Sequence, residues 1–338
     1  MAKTRLIDIN AVKKLITVEE VNDIVMKNFE EMGMRRVINP TKVTLDLGDN
    51  ADWPPYEGFL NAMPAYIGWL DVAGLKWVAG FAGERKEAGL PYINAMIFIV
   101  NPHLGTFEAV LEGKVISDLR TGAQVPVILN LLGHEKGSDL SIAMFGTGDQ
   151  AEHVLTAIAA WYNIKEVKLW NHRKESAVTF IDKMEDKIDS EITFYEDGKD
   201  AVQDVDAVIT ATLATEPIVY GDWIEDDTII IPMGSGSEIS CDLVSKADFI
   251  VVDHLEQAMH RGGLAKAFEH EVIDYSSIDT TFASIASGRL RVDEAQRQEG
   301  ITIAVPVGLG AHDIAVAGVI AKRAKEKDIG EIFEFSPF

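Results

Sequence analysis

Apolar residues at Val18, Val21, Ile24, Val25, Phe29 and Met32 recur with a 3.6-residue period. Thr17 and Glu20 stand where a capping box belongs, and Gly33 follows as a stop, so this stretch predicts an amphipathic helix. From Thr41 to Val127 the texture changes to short β-rich runs, KVTLDL, YIGWL, LKWVAGF, NAMIFIV and FEAVLEG, separated by Pro, Gly, Asn and Asp. Such runs predict mainly antiparallel strands, and the first third is expected to be α+β. After Gly137 apolar runs alternate with helical segments: LSIAMFG, a helix from Gln150, EVKLWN, a helix from Glu175, then ITFYE, AVITAT, TIIIPM and DFIVVD. This alternation predicts a parallel sheet covered on both faces. Neither a repeat of fixed period nor a low-complexity linker is visible, so a boundary near residue 126 rests on the change of pattern.

A chain of 338 residues is long enough for roughly two domains. Hydrophobic types at 47% and charged types at 25% exclude disordered, collagenous and fibrous classes. The formal net charge of −23 repels phosphate backbones and anionic lipid surfaces, so neither nucleic acid nor a membrane is expected as a partner. An anionic substrate would then need locally placed Lys or Arg. The single cysteine, Cys241, permits no intrachain disulfide, and charges scattered through MAKTRLIDINAVKKLI disfavour an export signal, so a cytoplasmic location is expected. The longest apolar tract, Ile301 to Ala321, is interrupted by Pro306, three glycines, His312 and Asp313, and is expected to be protein interior.

Leu140 to Phe145 reads as a buried strand ending in Gly146-Thr147-Gly148-Asp149-Gln150-Ala151, followed by a helix with Val154, Leu155 and Ile158 on its apolar face. This is a dinucleotide fingerprint. Gly146 allows the tight turn, Gly148 lets backbone N–H groups approach a pyrophosphate, and Ala151 permits close helix–strand packing. The next strand, EVKLW, ends in Asn171-His172-Arg173-Lys174, where an acidic residue ordinarily accepts the ribose hydroxyls of NAD. A neutral Asn beside Arg173 and Lys174 favours NADP(H) over NAD(H), because a carboxylate there would repel the 2′-phosphate that these two cations can pair with. The alternative is that Arg173 and Lys174 merely begin a solvated helix.

Three cations lie within apolar or small-residue runs of the first third: Lys42 in NPTKVTL, Lys76 in GLKWVAGF and Arg120 in SDLRTGA. Buried Lys and Arg require an anion. Each alone would be read as a structural salt bridge, but three in one domain of an acidic chain fit a carboxylate pocket. Arg120 precedes Thr121-Gly122-Ala123, an expected helix start, where its fork can hold a carboxylate in bidentate fashion.

The motifs Met63-Pro64, Gly74-Leu75-Lys76-Trp77-Val78, Gly89-Leu90-Pro91, Leu119-Arg120-Thr121-Gly122-Ala123, the fingerprint from Gly146 to Ala151, and Val307-Gly308-Leu309 followed by Asp313 occur in this order along nearly the whole chain. Together they resemble the ornithine cyclodeaminase/μ-crystallin family. The resemblance implies an α/β protein whose Rossmann-type doubly wound sheet, residues 126–305, is inserted in an α+β substrate-binding and dimerisation domain, residues 1–125 plus 306–338. It also implies a homodimer, a nicotinamide cofactor and a 2-amino or 2-imino acid substrate. Carried over, Arg120 and Lys76 match the substrate-carboxylate ligands, Lys42 stands where many members have Arg, and Met63 joins the substrate pocket. Thr121, Thr212, Met233 and Gly234 join the fingerprint residues, Asn171, His172 and Arg173 at the cofactor.

One departure matters. Cyclodeaminases and the family's alanine dehydrogenases carry an Asp shortly after the strand TIIIPM, and counting back from Asp242-Leu243 puts Gly236 there. The expected general base is missing, with Asp242, Glu238 and His312 the candidate substitutes. His312 is a candidate proton donor on its ordinary pKa, against the alternative of a core histidine. No His or Cys spacing predicts a metal site. The segment Trp53 to Phe59 is expected to be a turn or loop.

The resulting expectation is an NAD(P)H-dependent oxidoreductase moving a hydride to or from C2 of a small imino or amino acid, with Lys76, Arg120 and His312 as catalytic candidates. Ornithine cyclodeaminase is the alternative within enzymes, and a non-catalytic, NADPH-binding protein like μ-crystallin the alternative outside them.

Overall fold

The computed structural model describes residues 3–48, 52–234, 236–290, 292 and 300–335. They divide into two compact units, Met1–Arg120 with Leu309–Phe338, and Thr121–Gly308.

Unit one is built on an eight-stranded, largely antiparallel sheet. Its centre is the strand trio Gly58–Ile67, Val72–Phe81 and Ile93–Val100, paired antiparallel in chain order. Alternation sorts the trio's side chains. Met63, Lys76, Val78, Ala95 and Ile97 are buried on one face, while Trp77 and Met96, paired across strands, are half exposed on the other. The buried face is covered by the helix Gly310–Glu326, which also packs on the helix Val18–Gly33. Gly310 makes this close approach possible, since a Cβ there would lie 2.9 Å from that of Met63. The helix Val18–Gly33 carries the expected capping box, with Thr17 and Glu20 bonded reciprocally.

A second helix corrects the expected start at Thr121. It runs from Lys114 to Leu131, so Arg120 lies inside it. The cause is Glu112, whose carboxylate accepts from the backbone N–H groups of Lys114 and Val115 at 2.7 and 3.0 Å, capping the helix from two residues before its start. The division between units falls within this helix.

Unit two is a wholly parallel eight-stranded sheet. Outward from Asp139–Phe145 on one side lie Asn163–Trp170 and Glu191–Tyr195. On the other side lie Ala207–Thr210, Ile229–Pro232, Ile301–Val305, Ala247–Val252 and Thr280–Thr281. Chain order reverses direction at Asp139–Phe145, the switch point where doubly wound sheets place their ligand crevice. The expected α/β class is borne out. The apolar tract from Ile301 is the buried strand Ile301–Val305 followed, past residue 309, by the helix Gly310–Glu326. No helix among the described residues is long and apolar enough to cross a membrane.

Candidate functional site

In unit one, the strand Val72–Phe81 turns Lys76 onto the covered face, directly opposite Met63 in register. The helix Gly310–Glu326 brings Asp313 in from above, and the helix Lys114–Leu131 brings Ser117 and Arg120, three residues apart on one helical face. Lys76 Nζ lies 2.9 Å from Asp313 Oδ2 and donates to Ser117 Oγ at 3.1 Å. Arg120 Nε donates to Asp313 Oδ1 at 3.0 Å and its Nη2 to Ser117 Oγ at 3.3 Å. The four side chains close a ring, and all are buried. Two cations share one anion, so the ring carries one uncompensated positive charge.

Electrostatics within the ring follow from burial. Lys76 is lowered to about 8, first by desolvation and then by the Arg120 charge, with Asp313 opposing both. Lys42, half-buried just before the strand Val43–Asp46, contributes to the same depression. Burial pushes Asp313 upward, but Arg120 and Lys76 outweigh it and hold the carboxyl below the usual range. Lys76 and Arg120 thus meet a carboxylate of this chain, as the salt-bridge alternative expects of them, and the ring keeps one net positive charge.

His312 is fully buried beside this ring. Its imidazole stands edge-on to Phe29, centroids 4.5 Å apart, and its Nδ1 lies 3.1 Å from Asn28 Nδ2. Asn28 Oδ1 accepts from Trp69 Nε1, a donor only, at 3.4 Å. This orients the amide so that its NH₂ donates to Nδ1 and leaves the proton on Nε2. Desolvation, and then Arg120, push the ring down to about 3. Burial thus takes this imidazole away from the ordinary histidine pKa on which its candidacy as a proton donor was expected, and favours the neutral ring.

In unit two, Phe145, Trp170, Thr210 and Pro232 are in register at one edge of the sheet. The segments that follow them contain Gly146 to Ala151, Asn171 to Arg173, Thr212, and Met233 with Gly234. Gly146 has φ +110°, and a Cβ there would sit 2.5 Å from the Ala211 carbonyl oxygen, so only glycine fits the turn. Gly148 caps the helix Asp149–Ala159 without a side-chain hydrogen bond, and a Cβ there would meet nothing within 4 Å. Exposed N–H groups at a helix N-terminus, with open space before them, fit a pyrophosphate. Asn171 Nδ2 donates to the Arg173 carbonyl at 2.9 Å, holding the turn. Lys174 pairs with Glu196 at 2.8 Å instead of standing beside Arg173 as a second phosphate ligand.

The candidate substitute bases are also located. Glu238 is wholly buried and accepts four hydrogen bonds. Asp242 accepts from the Gly221 N–H. A Cβ at Gly236 would lie 2.6 Å from the Ala214 carbonyl oxygen, so the loop has no room for the Asp found in cyclodeaminases.

The sequence profile of the ornithine cyclodeaminase/mu-crystallin family matches residues 2–328. The chain belongs to this family. Over 338 aligned residues it is 30% identical to the alanine dehydrogenase of Archaeoglobus fulgidus, covering 98% of this chain and 99% of that one. Among solved structures it is similar to Thermococcus litoralis Delta(1)-pyrroline-2-carboxylate reductase in complex with NADH and L-proline, at 27% identity and a TM-score of 0.87, covering 97% of this chain and 99% of that one. It is similar also to an archaeal alanine dehydrogenase dimer with bound NAD, at 28% identity and a TM-score of 0.86, covering 99% and 100%. Each relative is named for oxidoreductase chemistry at an amino or imino carbon.

Ser117 and Asn28 escaped the sequence reading. Ser117 would have been found by extending the helix back from Arg120, and Asn28 by its place next to Phe29 on the apolar stripe of the first long helix. Among the described residues no cluster of His, Cys, Asp and Glu has the makings of a metal site.

Proposed function

We propose that this family member is an NAD(P)H-dependent reductase of small 2-imino acids, with oxidation of the corresponding amino acid as its reverse reaction. The observation that carries this reading is the buried ring of Lys76, Asp313, Arg120 and Ser117, whose single net positive charge matches one substrate carboxylate. Arg120 and Lys76 hold that carboxylate, with Lys42 adding charge and Met63 an apolar wall. Unit one serves as the substrate domain and unit two as the nucleotide domain.

Gly146 to Ala151, Asn171, His172 and Arg173 hold the nucleotide, with Thr121, Thr212, Met233 and Gly234 beside them. When bound, a reduced nicotinamide supplies the hydride. Lys76, with its pKa near 8, delivers or retains a proton at the substrate nitrogen, and Arg120 fixes the direction in which C2 faces. Asn171 and Arg173 favour the 2′-phosphate, so NADPH binds more tightly than NADH by about 10- to 100-fold, the value of one charge-assisted contact. The protein works in the cytoplasm as a homodimer, its second copy seated on the exposed apolar sheet face of unit one.

Gly236 argues for reduction over cyclodeamination. Attack of water or an amine on an imine gains typically 10²–10⁴-fold from a positioned base, whereas reduction of a protonated C=N requires only orientation and hydride delivery. The test offers purified protein and NADPH or NADH a panel of cyclic ketimine carboxylates, iminosuccinate, and 2-oxo acids with ammonia or methylamine, followed at the reduced-nicotinamide absorbance. Reduction of a preformed imino acid should exceed proline formation from ornithine by about two decades in kcat/KM. Efficient release of ammonia from ornithine with only catalytic nicotinamide overturns the reading in favour of a cyclodeaminase. Stoichiometric quenching of NADPH fluorescence without turnover overturns it in favour of a binding protein.

A further inference from the structure

Glu238 has no part in the chemistry above, yet it is one of the few carboxyls among the described residues with no exposed surface. Each of its oxygens accepts two hydrogen bonds. Oε1 takes the Thr212 N–H at 2.6 Å and the Thr212 hydroxyl at 2.7 Å; Oε2 takes the Thr210 hydroxyl and the Gly234 N–H, both at 2.7 Å. Four donors fill the four acceptor sites that an ionised carboxylate offers. A protonated acid, or an amide in its place, would have to break at least one of these bonds.

The donors belong to two different segments: Thr210, the last residue of the strand Ala207–Thr210, with Thr212 just beyond it, and Gly234 just beyond Ile229–Pro232. A Cβ at Gly234 would overlap the Glu238 carboxyl, so the glycine is what lets the second segment fold down onto it. The first segment lies against the fingerprint turn: a Cβ at Gly146 would stand 2.5 Å from the Ala211 carbonyl oxygen and 2.9 Å from Thr212 Cγ2. Glu238 grips Thr212 by both its N–H and its hydroxyl, and Thr212 sits against the first glycine of the fingerprint.

We propose that Glu238 is a positioning residue of the nucleotide site, clasping two strand-end segments so that Thr212 braces the Gly146 turn in the shape that receives the pyrophosphate. The inference rests on the reading of unit two as the nucleotide domain. It assigns Glu238 to cofactor affinity and removes it from the candidates for the general base.

Glu238→Gln is the direct test, because the amide preserves volume but turns an NH₂ toward two of the four donors. Thr210→Val is the second variant. It deletes one donor to the clasp, keeps the side-chain shape, and lies at a fully buried position. Dissociation constants for NADPH and NADH are measured by nucleotide fluorescence on the full-length protein, alongside Tm without nucleotide and kcat at saturating nucleotide. Glu238→Gln should raise the nucleotide dissociation constant at least about tenfold and Thr210→Val about threefold, with kcat at saturation within about twofold of the parent protein.

Unchanged dissociation constants in the folded variants, with only Tm lowered, overturn the proposal and leave Glu238 as a fold-stabilising residue. If Glu238→Gln does not fold, the Thr210→Val dissociation constant decides by the same criterion. A parent protein that binds neither NADPH nor NADH overturns the nucleotide reading itself, an outcome distinct from equal binding by parent and variants.

Discussion

Asp313 sits where two cations would otherwise face each other without water. Lys76 titrates near 8 because burial and Arg120 push it down while Asp313 pushes it up. Asp313→Asn removes this opposing charge at nearly constant volume. Lys76 then falls further, and with it the pH below which the ammonium is present to give a proton to the nitrogen of a bound substrate. The alkaline limb of kcat/KM for imine reduction should bend near 8 in the parent protein and at lower pH in Asp313→Asn. An unmoved limb excludes Lys76 as its source. Stability has its own sign. Between about 8 and 10.5 the unfolded chain keeps a Lys76 proton that the folded chain has released, so this residue's contribution to stability rises with pH through that window. The asparagine variant should also lose about 3–5 kcal/mol of stability, the usual cost of stripping a buried pair of one partner. At this scale Lys76 and Arg120 were legible, because a cation inside an apolar run demands an anion. Their anion was not recognised as such, since it lies 193 residues from Arg120 and entered only as the Asp313 that follows Val307-Gly308-Leu309.

Elements were legible where their signals are local. The helix Val18–Gly33 is set by its 3.6 period and capping box, and the parallel strands of unit two by continuous apolar runs. The helix at Lys114 was misplaced because its N-terminus is satisfied by a glutamate two residues upstream, outside the usual cap position. Glu20 illustrates how local and tertiary signals combine. It completes the capping box with Thr17 and also receives both terminal nitrogens of Arg323, at 2.9 and 2.7 Å, tying the end of the helix Gly310–Glu326 to the start of Val18–Gly33. The Arg323 hydrogen bonds, followed by that from the Thr17 backbone, hold Glu20 at about 2 in place of 4.5. A carboxylate with a depressed folded pKa stabilises above its unfolded pKa and loses that stabilisation as pH falls. Glu20→Gln keeps a capping side chain but loses the ion pair, which is part-exposed and therefore worth about 0.5–1 kcal/mol. Thermal melts should show the variant less stable at pH 7 and the gap closing as pH falls from 4.5 toward 2. A gap that is constant with pH shows that the carboxylate charge contributes nothing.

At the scale of the whole molecule, a chain with net charge −23 carries a broad apolar sheet face outside its own core. Val43, Ala62, Trp77 and Met96 stand side by side across four strands, with Leu45, Leu60 and Ala79 in the next row. Val43 is 68%, Leu45 55%, Trp77 51% and Met96 50% exposed. Contiguous apolar surface of this kind marks an interface, and the period-2 alternation in the sequence that buries Met63 and Lys76 on one side produces this face on the other. In the proposed homodimer the face meets its own copy, and the long-range interaction between the copies is repulsive. Raising ionic strength from about 0.01 to 0.15 M shortens the screening length from roughly 30 to 8 Å, so the dimer should tighten with salt, opposite to an interface held by ion pairs. Trp77→Glu puts a charge at the centre of the patch without touching Lys76 or Arg120, and sedimentation should find it monomeric at concentrations where the parent protein is dimeric. Its nucleotide affinity should stay within about twofold, because no fingerprint residue belongs to unit one. A Trp77→Glu protein that sediments as a dimer with unchanged salt dependence would place the interface elsewhere.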